Sequence, residues 1–158
     1  RWTTDRGRRA INGLSSTVYG HSNMILPRDF YNRSTLTVAR ELIGARLVRI
    51  LNGRKLVGLI VETEAYISEK DLACHCKAGR TPRTQVMYGE AGHAYVYFTY
   101  GNHWMFNVVT ERVDFPAAVL IRAIQPVEGV ELDASDDDPI CGSSAWRHRA
   151  SLDRGRVD

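Results

Sequence analysis

Hydrophobic and polar positions along the chain fall into a few well-marked segments. Leu59-Ile-Val-Glu-Thr-Glu-Ala-Tyr66 alternates in the manner of a strand. A period of two places Val57, Leu59, Val61, Thr63 and Ala65 on one face, small and apolar enough for a core. Ile60, Glu62, Glu64 and Tyr66 fall on the other, with Glu64 near the strand end. That row fits either a half-buried strand with a solvated acidic edge or a carboxylate presented to a cleft. Upstream, Ser34 or Thr35 caps a predicted helix whose Leu36, Ala39, Leu42 and Ile43 form an apolar stripe, closed by Gly44. Leu47 to Leu51 predicts a strand, and Asn52-Gly53 turns it into a return strand from Lys55. Residues 67–92 predict loop and short helix, punctuated by Gly79, Pro82, Gly89 and Gly92. A second hairpin follows: 94–100, a Gly101-Asn102 turn, and 103–109. Ala117 to Ile124 predicts another strand, apolar except for Arg122.

These segments predict an α+β fold, a single domain built on a curved antiparallel sheet with flanking helices. Residues 1–23 are rich in Arg, Gly and Ser without sustained period, so order is expected from Ile25 and the first 23 residues read as a disordered or non-native extension. After Gly129 the pattern dissolves, and residues 133–158 read as a disordered or frameshifted tail. One domain is what 158 residues accommodate with a real core.

Composition changes this picture little: 44% hydrophobic and 25% charged is ordinary for a globular chain. No apolar run approaches a membrane span. A net charge of +3 is a weak pointer to polyanions, but Lys70, Lys77, Arg80 and Arg83 stand against Asp71 alone between positions 70 and 83. Such a run is either a solvated loop or a phosphate-contacting one. Three cysteines, Cys74, Cys76 and Cys141, make no disulfide framework and point to a reducing compartment. Cys74-His75-Cys76 lacks a second ligand pair at zinc-site spacing, so no metal is expected.

Five positions besides Glu64 carry candidate chemistry. Tyr100 precedes the Gly101-Asn102 turn, where a ring either packs on a neighbouring loop or acts as a wedge filling the gap left by an extruded nucleotide. Arg122 in an apolar strand needs a carboxylate partner, and Glu64 is the candidate, as a structural ion pair or one that orients water. Asn107 interrupts an apolar strand and either satisfies backbone groups or reads a base edge. His75 and Tyr66 are candidate flat walls of a base pocket.

Together these fragments resemble the 3-methyladenine DNA glycosylases of the alkyladenine type, from about Leu26 to Gly129. The likeness rests on Asp29-Phe-Tyr31, Val38-Ala-Arg-Glu-Leu-Ile-Gly44, Val61-Glu-Thr-Glu-Ala-Tyr66 and Asp71-x-Ala-x-His75. It continues through Gly79-Arg-Thr-Pro-Arg83, Tyr95-Val-Tyr-x-x-Tyr-Gly101, Asn107, and Ala118-Val-Leu-Ile-Arg-Ala123 with Pro126-x-Glu-Gly129. The resemblance implies base-excision repair by monofunctional hydrolysis of the N-glycosidic bond of an alkylated or deaminated purine flipped out of duplex DNA. It implies Glu64 as general base and Arg122 as its companion in holding water. Tyr66, His75 and Tyr97 become the pocket walls, Asn107 a guard against guanine, and Tyr100 the intercalating residue. Lys77, Arg80 and Arg83 are expected along the DNA backbone. No cofactor and no membrane partner are expected, and a monomeric, cytoplasmic protein, nucleoid-associated if bacterial and not secreted, is the corresponding picture. The family domain continues well past Pro126-x-Glu-Gly129, so residues 24–132 are expected to be a partial domain, with truncation or a frameshift near Leu132. A catalytically impaired DNA-binding remnant and a non-functional fragment are the competing expectations.

Overall fold

The computed structural model describes residues 2–5, 8–11, 14–20, 24–51, 53–99 and 103–129. Tyr100 with its Gly101-Asn102 turn, Asn52, Cys141 and the segment 133–158 lie outside the described residues. The chain folds as an α+β domain on one antiparallel sheet. Its strands are β1 (Trp2–Asp5), β2 (Arg8–Ile11), β3 (Leu14–Tyr19), β4 (Arg46–Leu51), β5 (Arg54–Ile67), β6 (Ala94–Thr99), β7 (His103–Val109) and β8 (Ala117–Glu128). They lie in the order β1-β2-β3-β4-β5-β8-β7-β6. The long strands β5 and β8 form its centre.

Two short helices, α1 (Arg28–Tyr31) and α2 (Thr35–Leu42), complete the fold, α2 packing on the sheet and α1 against α2. The predicted helix is present, but its buried face differs from the predicted stripe. Thr35, Val38, Ala39 and Leu42 are buried, a clean i, i+3, i+4, i+7 set. Leu36 is 50% exposed, and Ile43 has already left helical geometry, with ψ of 128°, so its side chain no longer continues the face. Val38, Ala39 and Leu42 pack with Ile60, Val108, Val119, Ile121 and Ile124.

Order also begins earlier than Ile25. The backbone of Leu14–Tyr19 pairs with β4, and β1 and β2 add beyond it. Ladder bonds come from main-chain groups, which need no apolar period to satisfy one another. An apolar count therefore does not register such a strand.

The largest departure from simple alternation lies inside β5. The β5–β8 register runs Ile60↔Ile124, then Glu62↔Ala123, then Thr63↔Ile121, passing over Val61 on one strand and Arg122 on the other. These bulges reset the phase. Ile60, expected opposite the core, is 0% exposed beneath α2, whereas Val61, expected inside, is 46% exposed. Thr63 and Ala65 then occupy the α2 side as expected, with Thr63 Oγ1 donating to the Ala39 carbonyl at 2.9 Å. Glu64 and Tyr66 are left on the opposite face. Gly58 permits the close strand contact that this requires, since a Cβ there would meet Ile124 Cδ1 at 2.6 Å.

The α2 N-terminus is capped from far away. Ser34 makes no side-chain cap; the Glu111 carboxylate instead accepts from Thr35 N (2.8 Å) and Thr35 Oγ1 (3.0 Å), and Thr110 Oγ1 donates to Thr35 Oγ1 (3.0 Å). An anion there answers both unsatisfied N–H groups and the helix dipole. Glu111→Ala is expected to destabilise the domain by about 1–2 kcal/mol, because the Thr35 N–H and the buried Thr35 hydroxyl lose their shared acceptor. A urea melt with an unchanged midpoint would show that the carboxylate does not hold this end.

Candidate active site

The sheet face away from α2 carries the candidate chemistry in a row that crosses four strands. Glu64 on β5 faces Leu120 on β8, Leu120 faces Asn107 on β7, and Asn107 faces Tyr95 on β6. Two residues along, Tyr66 faces Ala118 and packs against the cluster that holds Val109 and Tyr95. Residues far apart in sequence are thus brought side by side by register alone.

Glu64 is held from two sides. Arg122 Nε lies 3.1 Å from Glu64 Oε1, and the Tyr66 hydroxyl donates to Oε2 at 2.5 Å. The bulge on β8 is what lets Arg122 reach this face, and the pair was the one expected from an isolated charge in an apolar strand. Its side chains are 34% and 39% exposed, so it sits at the mouth of a site and not in the core. Burial, and then the bond to Glu64, push the Tyr66 phenol well above its ordinary range. It remains a donor at neutral pH.

The loop after β5 builds the wall beside this pair. Ser68 N donates to Pro116 O at 2.8 Å, and Asp71 accepts from Ile67 N (3.2 Å) and Ala73 N (2.9 Å). The chain then makes a 3-10 turn, His75–Ala78, with Cys74 and Cys76 buried beneath it. Their sulfurs approach to 2.8 Å, and Cys76 Sγ meets Met87 Sδ at 3.5 Å. Two buried thiols on either side of one residue leave His75 turned outward. Among the described residues no group of three or more His, Cys, Asp or Glu is placed to hold a metal ion.

His75 meets the aromatic residues of β6. Its Nδ1 is 3.0 Å from the Tyr95 hydroxyl, and its ring centre is 4.5 Å from that of Tyr97 at 67°. Tyr95 and Tyr97 lie 5.3 Å apart. Burial lowers the His75 pKa first, with the charges of Arg83 and Lys77 acting in the same direction, so the ring is neutral at pH 7. Tyr95 is the member of this group that the sequence reading did not single out. Its signal was the spacing of Tyr95 and Tyr97, two apart on one strand and therefore on one face.

The other expected positions divide. Asn107 is 2% exposed and its Nδ2 donates to Tyr95 O (3.1 Å) and Met105 O (3.4 Å), so the backbone role is present in full. Arg83 lies over the Tyr97 ring at 5.3 Å. Arg80 turns away, ion-paired with Asp114 and stacked over Tyr88 at 4.6 Å. Lys77 is exposed on the His75 turn.

On this antiparallel sheet an ion pair stands beside a group of aromatic rings, and comparison with known proteins gives the family. The model of the methylpurine-DNA glycosylase family matches residues 29–142, and the chain belongs to that family. A Myxococcus xanthus (strain DK1622) protein is 58% identical over 114 residues, covering 72% of this chain and 59% of its own. Relatives from Methanocella arvoryzae and Carboxydothermus hydrogenoformans are 56% and 55% identical, covering 70% and 69% of this chain and 56% of each of theirs. All three bear the name "Putative 3-methyladenine DNA glycosylase". The chain spans less than three-fifths of the length of each.

The lowered His75 pKa has a definite sign. The neutral ring is favoured by folding, so its contribution to stability is complete above the ordinary value of about 6.5 and is lost as pH falls through it. Histidine NMR titration is expected to show His75 titrating below the ordinary value of about 6.5, and Arg83→Gln to bring it closer to that value. A His75 titrating above 6.5 would contradict this reading of the wall.

Proposed function

We propose that this chain carries the catalytic face of a DNA glycosylase that hydrolyses the N-glycosidic bond of a damaged purine flipped out of duplex DNA. The observation behind it is the Glu64–Arg122 ion pair at the lip of the Tyr66, His75 and Tyr97 recess. Flat rings accept an extruded base by stacking, and a carboxylate beside them lies where the sugar would follow.

In this reading Glu64 is the general base. It takes a proton from water as the water oxygen bonds to C1′ and the C1′–N bond breaks, its electron pair leaving with the base. The carboxylate also stabilises the cationic character that develops on the sugar. Arg122 keeps Oε1 oriented, and Tyr66 holds Oε2; an ionised carboxylate has acceptor sites enough to bind water as well. An alkylated purine such as 3-methyladenine is already positively charged and leaves without much acid assistance. Asn107, behind the recess and next to the Tyr95 backbone, is the residue proposed to crowd the exocyclic amine of guanine. Tyr100, by its place just before Gly101-Asn102, is proposed as the wedge. Lys77 and Arg80 supply positive charge for the DNA backbone, that of Arg80 being offset by Asp114.

A binding-only reading is the alternative, in which the Tyr66, His75 and Tyr97 rings and the nearby cations hold DNA without bond cleavage. The two separate in one experiment. Glu64→Gln is expected to lower single-turnover excision of hypoxanthine or an alkylated purine by about a hundred-fold or more while leaving lesion-duplex affinity within about two-fold. Excision at the parent rate would remove Glu64 as the base. A parent that binds lesions without excising them would favour the binding-only reading.

A further inference from the structure

Arg83 is placed differently from its neighbours in the cationic loop. Arg80 is neutralised by Asp114, and Arg122 by Glu64. Arg83 instead lies against a ring: its guanidinium is 5.3 Å from the Tyr97 ring centre, and its positive charge acts on the nearby Tyr95 phenol. Tyr97 in turn stands 4.5 Å from His75, on the wall of the recess.

We propose that Arg83 is a specificity-determining residue of this recess: laid over Tyr97, its charge shifts selection toward neutral damaged purines and away from cationic, alkylated ones. The inference rests on the glycosylase reading above and assigns to one residue the balance between two substrate classes. An aromatic face attracts a cation through its quadrupole, so rings such as Tyr66 and Tyr97 would by themselves favour a positively charged base. Arg83 already draws on that attraction at Tyr97. A cationic base stacked on the same ring gains less and meets a like charge across it, whereas a neutral base loses nothing. His75, kept neutral beside them, adds no charge of its own. A residue serving only the DNA backbone would treat both lesion classes alike, because a phosphate contact carries no information about the base.

Single-turnover release of 3-methyladenine from methylated duplex and of hypoxanthine from a duplex of the same sequence tests this, using the full chain and its Arg83→Gln and Arg83→Lys variants. Arg83 is exposed, so both variants keep the fold. Arg83→Gln is expected to raise the ratio of 3-methyladenine to hypoxanthine release about three- to five-fold. Arg83→Lys, which keeps the charge, should stay near the parent ratio. Equal losses on both substrates, shrinking together with salt, would assign Arg83 to the DNA backbone and overturn the proposal. A ratio unchanged in Arg83→Gln would overturn it as well. A parent that releases neither base would overturn the glycosylase reading itself, and this one with it. A parent active on both, with an unmoved ratio, would overturn this one alone.

Discussion

The paired interruption of the β5–β8 ladder is the constraint on which the rest of the structure depends. At Val61 and Arg122 each strand carries one residue that the register passes over. Without that step, strict alternation would put Ile60 on the face of Glu64 and Tyr66, and the α2 core would lose a fully buried side chain. With it, Ile60, Thr63 and Ala65 all serve the α2 side, while Glu64, Tyr66 and Arg122 gather on the other. The same local irregularity therefore closes the core and assembles the ion pair. A bulge beside a candidate active site is a common device for aiming a side chain that regular pleating would misdirect.

Stability and chemistry are divided between the two faces. The α2 face is packed with Val38, Leu42, Ile60, Val119 and Ile124 and is capped through Glu111. The opposite face is built on smaller and polarisable groups, with Ala118, Val109, Cys74, Cys76 and Met87 behind Tyr66, Tyr95 and Tyr97. Buried sulfurs fill an irregular space and press the His75 turn against the sheet. Asp71, bonded to the Ile67 and Ala73 main-chain N–H groups ahead of that turn, keeps the loop in register with the end of β5. The aromatic wall is thus braced from behind and below, as a stacking surface requires.

Much of this was legible in the sequence, for reasons that particular residues make plain. A lone Arg122 in an apolar strand demanded an acid, and Glu64 was the acid that a neighbouring strand could supply. Strands β4 to β8 and both hairpins followed from alternation and turn residues. What stayed hidden was long-range or backbone in origin. The phase change at Val61 has no compositional mark, since Ile60 and Val61 are equally apolar. The cap on α2 comes from Glu111, 76 residues beyond Thr35, and no local capping pattern announces it. Strand Leu14–Tyr19 is paired through main-chain groups, without an apolar period to reveal it. Arg80 and Arg83 are three apart and alike in sequence, yet Asp114 claims one and Tyr97 the other.

The central claim is that Glu64 and Arg122 act as one unit at the reacting centre. A double-mutant cycle in single-turnover excision, with Glu64→Gln, Arg122→Gln and the pair together, measures that unit directly. The account predicts strong non-additivity: the double variant should be little slower than Glu64→Gln alone, because Arg122 has nothing left to orient. Losses that simply multiply, with each side chain costing the same in the presence or absence of the other, would contradict it.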